Sequence, residues 1–240
     1  MSLFVIADLH LSSSVNKSMT AFGKRWDNYT QRIKVNWEKL VSDNDTVIIP
    51  GDISWGINLS EALEDLKFID LLPGKKIILK GNHDLWWDTL SKINKFFSDN
   101  SINTISLLQN NAFLCENTII CGSRGWFTDE KAQKTVGDPN YSKIISREVI
   151  RLKLSLEEAK KLKEKNPESD IIAFLHFPPV FGNFVCEEII SVLKEYSVQK
   201  CYFGHIHDPF VKCGSFEYES IQMKLISADH LEFIPLKIAL

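Results

Sequence analysis

Five short motifs in the sequence carry carboxylate, imidazole or amide side chains at widely separated positions. In chain order they are D-L-H at 8–10, G-D at 51–52, G-N-H-D at 81–84, a lone His176, and G-H-I-H at 204–207. Oxygen and nitrogen ligands of these types bind divalent transition-metal ions. Five of the six histidines lie in these motifs, whereas His230 has no partner motif. The set therefore predicts a metal site assembled from distant parts of the chain.

The five motifs differ in how strongly each one indicates a metal site. Asp-x-His and Gly-Asp are common in ordinary turns. In G-H-I-H the two histidines flank one residue, so on an extended chain they share a face and can reach neighbouring metals. G-N-H-D is the most specific, because a glycine that frees the backbone precedes an oxygen ligand and an imidazole. The occurrence of all five motifs in this order is not expected by chance in a sequence without such a site.

Apolar runs typical of β-strands alternate with helical patterns along the chain. The strand-like runs cover residues 3–7, 46–50, 75–80, 118–122, 170–175 and 200–204. Helical patterns lie at 29–41, 60–72 and 186–196, with Ser60 as the expected N-cap of the second. This alternation predicts βαβ units with parallel strands buried on both faces. From Ser215 onward, alternating polar and apolar residues predict an antiparallel strand or hairpin on a second sheet.

The motifs follow the predicted strands directly. Open α/β sheets bind their ligands at the carboxyl ends of parallel strands, which meet at one edge. We therefore expect the five motifs to converge at that edge.

A charged helical pattern covers residues 142–166. Its lysine-rich end, K-K-L-K-E-K, could bind nucleic acid, but the interleaved glutamates favour a solvent-facing helix. The sequence contains no linker-like tract and no internal repeat. It predicts a single domain over 1–240 with a mainly helical insertion at about 124–168.

Composition limits the classes of partner. The chain has 240 residues, 44% of them hydrophobic, which is enough for a sizeable core, and a formal net charge of −3. No overall basic field is present to attract extended nucleic acid or an anionic membrane. No apolar run approaches the roughly 20 residues that a membrane span needs, and the first residues do not resemble a secretory signal. A cytoplasmic protein with five reduced, structural cysteines is expected; the sequence carries no signal of oligomeric state.

The ordered motifs, spanning Asp8 to His207, resemble those of the calcineurin-like metallophosphoesterase superfamily. The resemblance implies a four-layer α/β/β/α sandwich with two mixed sheets and a dinuclear metal centre. By motif match, one metal would be held by Asp8, His10, Asp52 and His207. The other would be held by Asp52, Asn82, His176 and His205, so Asp52 would bridge. His83 matches the family's position for the group that donates a proton to the leaving oxygen or stabilises the charge that builds there.

The implied chemistry suits these side chains. A pair of divalent cations outweighs the carboxylates of Asp8 and Asp52, so the centre would attract phosphate in an otherwise acidic protein. Water held between the two metals becomes the nucleophile, because the metals lower its pKa. Mixed histidine, carboxylate and amide ligands suit Mn²⁺, Fe, Co²⁺, Ni²⁺ or Zn²⁺ without choosing among them. Asp84 would either orient His83 or cap the next helix.

The sequence is less informative about the substrate. Protein serine/threonine phosphatases of the superfamily carry G-D-x-x-D-R-G and G-N-H-E, and both patterns are absent from this chain. Arg124 is a candidate phosphate clamp, with Trp126 beside it. Trp86, like Trp55 and Trp87, lies close to a motif in the sequence. These tryptophans would either stack on a nucleobase or pack in the core or rim, and packing is the commoner role.

The resemblance implies a metal-dependent phosphatase or phosphodiesterase that acts on a small phosphoester, nucleotide-like compounds included. The alternative is a catalytically silent scaffold of the same fold that binds proteins. Every ligand position and the position of His83 are filled, which favours the enzyme. A nuclease is a narrower version of the first hypothesis, and the missing basic stripe counts against it.

Overall fold

Two stacked β-sheets form the centre of the molecule. The structure is a computed structural model and describes residues 1–127, 141–207 and 214–238. The first sheet contains β1 (Leu3–Val5), β2 (Thr46–Pro50), β3 (Lys75–Leu79), β4 (Ile105–Leu107) and β13 (Leu236–Lys237). Its order is β13-β1-β2-β3-β4, parallel except for β13, which runs antiparallel to β1.

The second sheet is also parallel at its centre. It contains β5 (Phe113–Cys115), β6 (Thr118–Ser123), β7 (Asp170–Leu175), β10 (Lys200–Phe203), β11 (Ser215–Tyr218) and β12 (Ile221–Leu225). Its order is β11-β12-β10-β7-β6-β5, and only the two edge strands pair antiparallel. A short hairpin of β8 (Val180–Phe181) and β9 (Phe184–Val185) follows β7.

Helices cover the outer face of each sheet. They are α1 (Tyr29–Leu40), α2 (Leu59–Leu71), α3 (Leu90–Asp99), α4 (Tyr141–Lys165) and α5 (Glu187–Glu195). Side chains of α1, α2 and α3 pack on the first sheet, and those of α4 and α5 pack on the second. The order of layers is therefore helices, sheet, sheet, helices, and the expected four-layer α/β/β/α fold is confirmed.

The apolar strands are buried on both faces, as parallel strands between helices and a second sheet must be. In β2, Val47 and Ile49 pack against the helices, whereas Ile48 between them packs in the layer between the sheets. In β7, Ile172 and Phe174 face that same layer from the other side. Each such side chain contributes about 1.5–3 kcal/mol by burial, so the stacked sheets form a firm support for the loops at their edge.

Six predicted strands and all the predicted helices are present, with ends shifted by two residues at most. The predicted N-cap of α2 is wrong. Asn58 caps this helix, because its side-chain oxygen accepts a hydrogen bond from the Glu61 amide at 3.0 Å and Glu61 in turn accepts from the Ile57 amide. The predicted terminal hairpin is confirmed as β11–β12, and α3 was not predicted.

The remaining predictions on organisation are only partly covered by the described residues. Part of the predicted insertion, 128–140, lies outside them, and α4 accounts for 141–165. Cys213 also lies outside them. The four described cysteines are free, and burial raises the pKa of the Cys121 and Cys201 thiols, which fits structural rather than reactive thiols.

Candidate metal centre

The loops after five strands bring the motif residues to one edge of the two sheets. Asp8 and His10 follow β1, Asp52 follows β2, and Asn82 follows β3. On the second sheet, His176 follows β7, and His205 and His207 follow β10. The sheets are joined at this edge by hydrogen bonds, including Ala7 N–H to the Ile226 carbonyl at 2.9 Å. Residues almost two hundred positions apart therefore become neighbours.

Four of these residues have an uncommon backbone conformation. Asp8, His10, Asp52 and His205 have positive φ angles of 59°, 46°, 51° and 71°. Such a conformation in a non-glycine residue is uncommon and costs of order 1–3 kcal/mol, so it persists only where the surrounding structure supports it. Hydrogen bonds between the loops support it: Asp8 N–H donates to the Gly51 carbonyl and His10 N–H to the Asp52 carbonyl. The sharp turns after the strands aim these side chains at one another.

Two glycines in the motifs are explained by close approach. A Cβ atom on Gly81 would overlap the Asp52 carboxylate, and one on Gly204 would overlap that of Asp8. Both glycines therefore make room for a carboxylate from a different motif. The G-N-H-D and G-H-I-H patterns begin with glycine for this reason, and not only for freedom of the backbone.

The ligand atoms form two groups. Asp8, His10 and His207 make the first group, in which the ligand atoms all lie within 4.8 Å of one another. His10 Nε2 and His207 Nε2 are 3.1 Å apart, and His207 Nε2 is 3.9 Å from Asp8 Oδ1. Three nitrogen and oxygen atoms that face one point have the spacing of ligands around one cation. This group is a candidate metal site.

The second group consists of Asp52, His176 and His205, whose ligand atoms also lie within 4.8 Å of one another. Asn82 joins it, because its Oδ1 lies 2.6 Å from His176 Nε2. Asp52 connects the two groups: its Oδ2 is 3.7 Å from His10 Nε2 and its Oδ1 is 3.5 Å from His176 Nε2. One carboxylate thus presents an oxygen to each group, which is the position a bridging ligand needs.

The electrostatics of the centre fit bound cations. Burial raises the pKa of Asp8 well above its usual value and that of Asp52 to about 6. Burial also lowers the pKa of His176 to about 3 and that of His205 to about 2, so their imidazoles are neutral. Asp8 Oδ1 is buried with no hydrogen-bond partner among the described residues. Neutral imidazoles and an unpaired carboxylate oxygen, costly to bury alone, are good ligands for a divalent ion.

Further hydrogen bonds fix the orientation of two histidines. His176 Nδ1 lies 3.1 Å from the Pro50 carbonyl and donates to it, which leaves Nε2 as the ligand atom. His207 Nδ1 lies 2.7 Å from Asp229 Oδ1, and Arg25 holds Asp229 by an ion pair of 3.1 Å. Burial opposes protonation of His207, but Asp229 and Asp8 outweigh burial and raise its pKa. These contacts turn both Nε2 atoms towards the centre.

Sequence reasoning missed Asp229, because it lies in a stretch that resembled a plain turn. The signal was present: Asp229 follows β12, a strand of the second sheet, just as the other site residues follow their strands. It also missed Lys17, whose ammonium lies 3.3 Å from the centre of the Trp55 ring. Lys17 is exposed and lies late in the loop after β1, outside any of the five motifs.

His83 lies beside both groups. Its backbone N–H donates to Asp52 Oδ1 at 2.8 Å, and its ring centre is 5.6 Å from that of His10 and 4.3 Å from that of Trp55. The side chain is half-buried, and burial lowers its pKa. A ring at the mouth of the centre, and not among its ligands, has access to a bound ester.

Asp84 has neither of the two roles that its position suggested. Its carboxylate accepts hydrogen bonds from the amides of Ile53 and Gly81, both at 2.8 Å, and from the Trp86 indole at 3.0 Å. The N-cap of α3 is Thr89. Burial raises the pKa of Asp84 to about 7, and nearby Asp52 adds to this effect. Asp84 therefore ties the loop after β2 to the loop after β3.

The three expected substrate contacts have different surroundings. The Arg124 side chain is 24% exposed, and the Arg124 carbonyl accepts a hydrogen bond from the Phe177 amide. The Phe177 ring in turn lies 4.5 Å from the ring of His205. Trp126 is half-buried, 5.6 Å from the Phe177 ring. Trp86 is 2% exposed and packs in the core, which favours the packing alternative and leaves little surface for a substrate.

No helix among the residues described, 1–127, 141–207 and 214–238, is long and apolar enough to cross a membrane.

Comparisons with known proteins agree with this geometry. A sequence profile of the calcineurin-like phosphoesterase family matches residues 1–209. No curated protein matches the chain. The crystal structure of TT1561 from Thermus thermophilus is similar over 94% of this chain and 88% of that one, with a TM-score of 0.54 and 10% identity. A protein of unknown function from Aquifex aeolicus, AQ665, aligns over 98% of this chain and 95% of its own, with a TM-score of 0.49 and 14% identity.

At 10% identity the Thermus structure shows the fold alone, whereas the profile covers most of the sequence and all five motifs. This chain belongs to the calcineurin-like phosphoesterase family.

Proposed function

We propose that the protein is a dinuclear-metal phosphoesterase that hydrolyses a small phosphomonoester or phosphodiester, nucleotide-like compounds included. The observation that carries the proposal is the position of Asp52, which presents one carboxylate oxygen to each of two histidine-containing groups. Two divalent ions, when bound, supply a water of lowered pKa and neutralise the charge of the phosphoryl group. Mn²⁺, Fe, Co²⁺, Ni²⁺ and Zn²⁺ all suit the ligand set.

The roles of the side chains follow from their positions. Asp8, His10, Asp52 and His207 would hold one ion, and Asp52, Asn82, His176 and His205 the other. Asp229 and the Pro50 carbonyl hold two of the imidazoles in the tautomer whose Nε2 can bind metal. Asp84 keeps the loops of Asp52 and Asn82 together.

His83 would assist the departure of the leaving oxygen. Its half-buried ring lies at the mouth of the centre, and burial lowers its pKa, so the protonated ring would be a stronger acid towards the developing alkoxide. Arg124, one side chain away from His205, would hold a phosphate oxygen.

The scaffold alternative explains less of the site. A protein-binding scaffold has no need of a buried Asp8 oxygen without a hydrogen bond, four positive-φ backbone positions and two glycines that make room for carboxylates. These features cost stability, and cation binding offsets that cost.

The proposal is tested by hydrolysis of para-nitrophenyl phosphate and bis-para-nitrophenyl phosphate with Mn²⁺, together with metal analysis. The wild type is compared with Asp52→Asn and with Asp170→Asn, an exposed aspartate at the opposite end of β7. We expect Asp52→Asn to lose metal and at least about 100-fold of the activity, and Asp170→Asn to keep both. The preferred ester then separates a monoesterase from a diesterase. Equal turnover in wild type and Asp52→Asn would refute the bridging role.

A further inference from the structure

A cavity of about 520 Å³ lies beside the metal centre, between the edge of the sheets and α4. It begins where the motif loops begin: Lys80 lies at the end of β3, two residues before Asn82, and Arg124 follows β6. The Phe177 ring separates the Arg124 guanidinium, 5.9 Å away, from the ring of His205, 4.5 Å away. The cavity therefore lies one side chain away from the second group of ligands.

The cavity is rich in positive charge. Its lining includes four basic side chains, Lys80, Arg124, Arg147 and Arg151. Two carboxylates also line it, and one of them, Asp88, is paired with Lys92 at 2.8 Å. In a protein with a net charge of −3, this local excess of cations indicates an anionic ligand.

The other carboxylate, Glu148, holds two of the guanidiniums in place. It is 1% exposed, and its Oε1 accepts from Arg124 at 3.2 Å and from Arg151 at 2.5 Å. Among the described residues, its Oε2 and the buried Arg124 Nε have no hydrogen-bond partner. One carboxylate leaves the charge of two guanidiniums only partly neutralised while it fixes their orientation. A pair of guanidiniums prepared in this way suits the oxygens of a phosphate group.

The cavity also has room and an apolar wall. Leu79, Leu108 and Trp87 line it, and the Trp87 indole donates a hydrogen bond to Gln109 Oε1 at 2.8 Å. Its volume is within the range of sites that hold small metabolites. It can take a phosphate group together with part of the carrier that joins this phosphate to the reacting ester.

We infer that Lys80, Arg124 and Arg151 form a second phosphate subsite, so that the natural substrate carries a phosphate group besides the one attacked at the metal centre. The inference rests on the proposed function, because it concerns the far end of the same substrate. Arg147, which lines the same cavity, adds to the positive potential. Small substrates with a single phosphate would use the metal centre and leave this subsite empty.

The test is calorimetric titration of inorganic phosphate into the protein as purified, supplemented with Mn²⁺, at constant ionic strength. We expect two phosphate ions per chain in the wild type. Asp52→Asn should lose the site at the metal centre. Arg151→Gln should weaken the other site at least about tenfold, since hydrogen bonds to charged groups are the strong ones.

Two further variants make the result specific. Lys161→Gln removes one positive charge from the same helix, ten residues and about 15 Å further along, so it should keep both sites. Lys80 enters the subsite from the end of β3, so Lys80→Gln should weaken the same phosphate site that Arg151→Gln weakens. Arg151 is 51% exposed, so its replacement should fold, and the circular dichroism spectrum checks this.

The outcomes separate the two proposals. One phosphate per wild-type chain, with an affinity that neither Arg151→Gln nor Lys80→Gln changes, overturns the second subsite and leaves the proposed function standing. Two phosphates that Asp52→Asn does not affect, with no ester hydrolysis, overturn the proposed function instead.

Discussion

The metal centre and the neighbouring basic cavity differ in what holds their side chains. In the centre, the ligands follow strands whose backbones are fixed by two sheets, and glycine leaves space for each carboxylate. In the cavity, Arg151 and Glu148 come from α4 whereas Lys80 and Arg124 follow strands, and the two arginines are arranged around the one buried carboxylate of Glu148. The comparison suggests that the sheets fix the chemistry and that the helix on the second sheet sets the choice of substrate.

The largest effect is expected from His83→Ala. Removing a proton donor costs typically 10²–10⁴-fold in rate, and metal content should stay unchanged because the ring lies beside the ligand groups. The loss should be much smaller with para-nitrophenyl phosphate, whose leaving group departs without a proton, than with an alkyl phosphate. Turnover of both esters and metal analysis measure this. If the variant loses its metal, His83 is a ligand and its assigned role is wrong.

A smaller effect is expected from Asp229→Asn, which acts on the metal centre through His207. The amide leaves His207 Nδ1 with a weaker partner, so metal affinity should fall by about 10–100-fold. Titration of metal into chelator-treated protein measures this change, and activity should return at high metal concentration. Failure of excess metal to restore activity would mean that Asp229 does more than orient the imidazole.

On the cavity side of the comparison, Arg124→Ala should raise the Michaelis constant of a substrate that carries a second phosphate by about tenfold, with metal content unchanged. The reason is that Arg124 lines the cavity and lies outside both ligand groups. Steady-state kinetics and metal analysis check both parts. A normal Michaelis constant would remove Arg124 from substrate binding, and a loss of metal would make the two regions less separate than their geometry indicates.

The smallest effect is expected away from both regions. Asn58→Ala removes the N-cap of α2 and should lower the free energy of unfolding by about 1 kcal/mol, with no change in activity. Ser60→Ala is the matched control, because Ser60 is exposed and lies inside the helix. Thermal or urea unfolding compares the two. Equal stability of both variants with wild type would contradict the capping geometry.

Much of the fold could be predicted from the sequence. Short apolar runs separated by helical patterns gave the parallel strands and the helices between them, because burial on both faces requires such runs. The missed helix α3 had a signal as well: Leu90, Ile93 and Phe97 follow helical spacing, and the last two are buried. The N-cap of α2 was misplaced because Asn58 and Ser60 are both good capping residues, and only backbone geometry distinguishes them.

The motifs predicted the type of site, whereas the arrangement of its residues in two groups joined by Asp52 was implied only by the resemblance to the family. The ligand residues could be named from their motifs, because side-chain chemistry and local spacing are properties of the chain itself. Asp229 and Lys17 could not, since neither belongs to a motif. The role of Asp84 also depended on partners from another loop, thirty positions away.

By itself, the sequence determined which groups are available to bind metal and that they follow strands. Only the tertiary structure decided that Gly81 and Gly204 lie against carboxylates, that Asp84 ties two loops together, and that Glu148 gathers two arginines beside the centre. The physical reason is the sequence separation over which each kind of interaction acts. Local pattern fixes which face of a strand or helix a side chain occupies, whereas contacts between distant segments depend on how the sheets pair and pack.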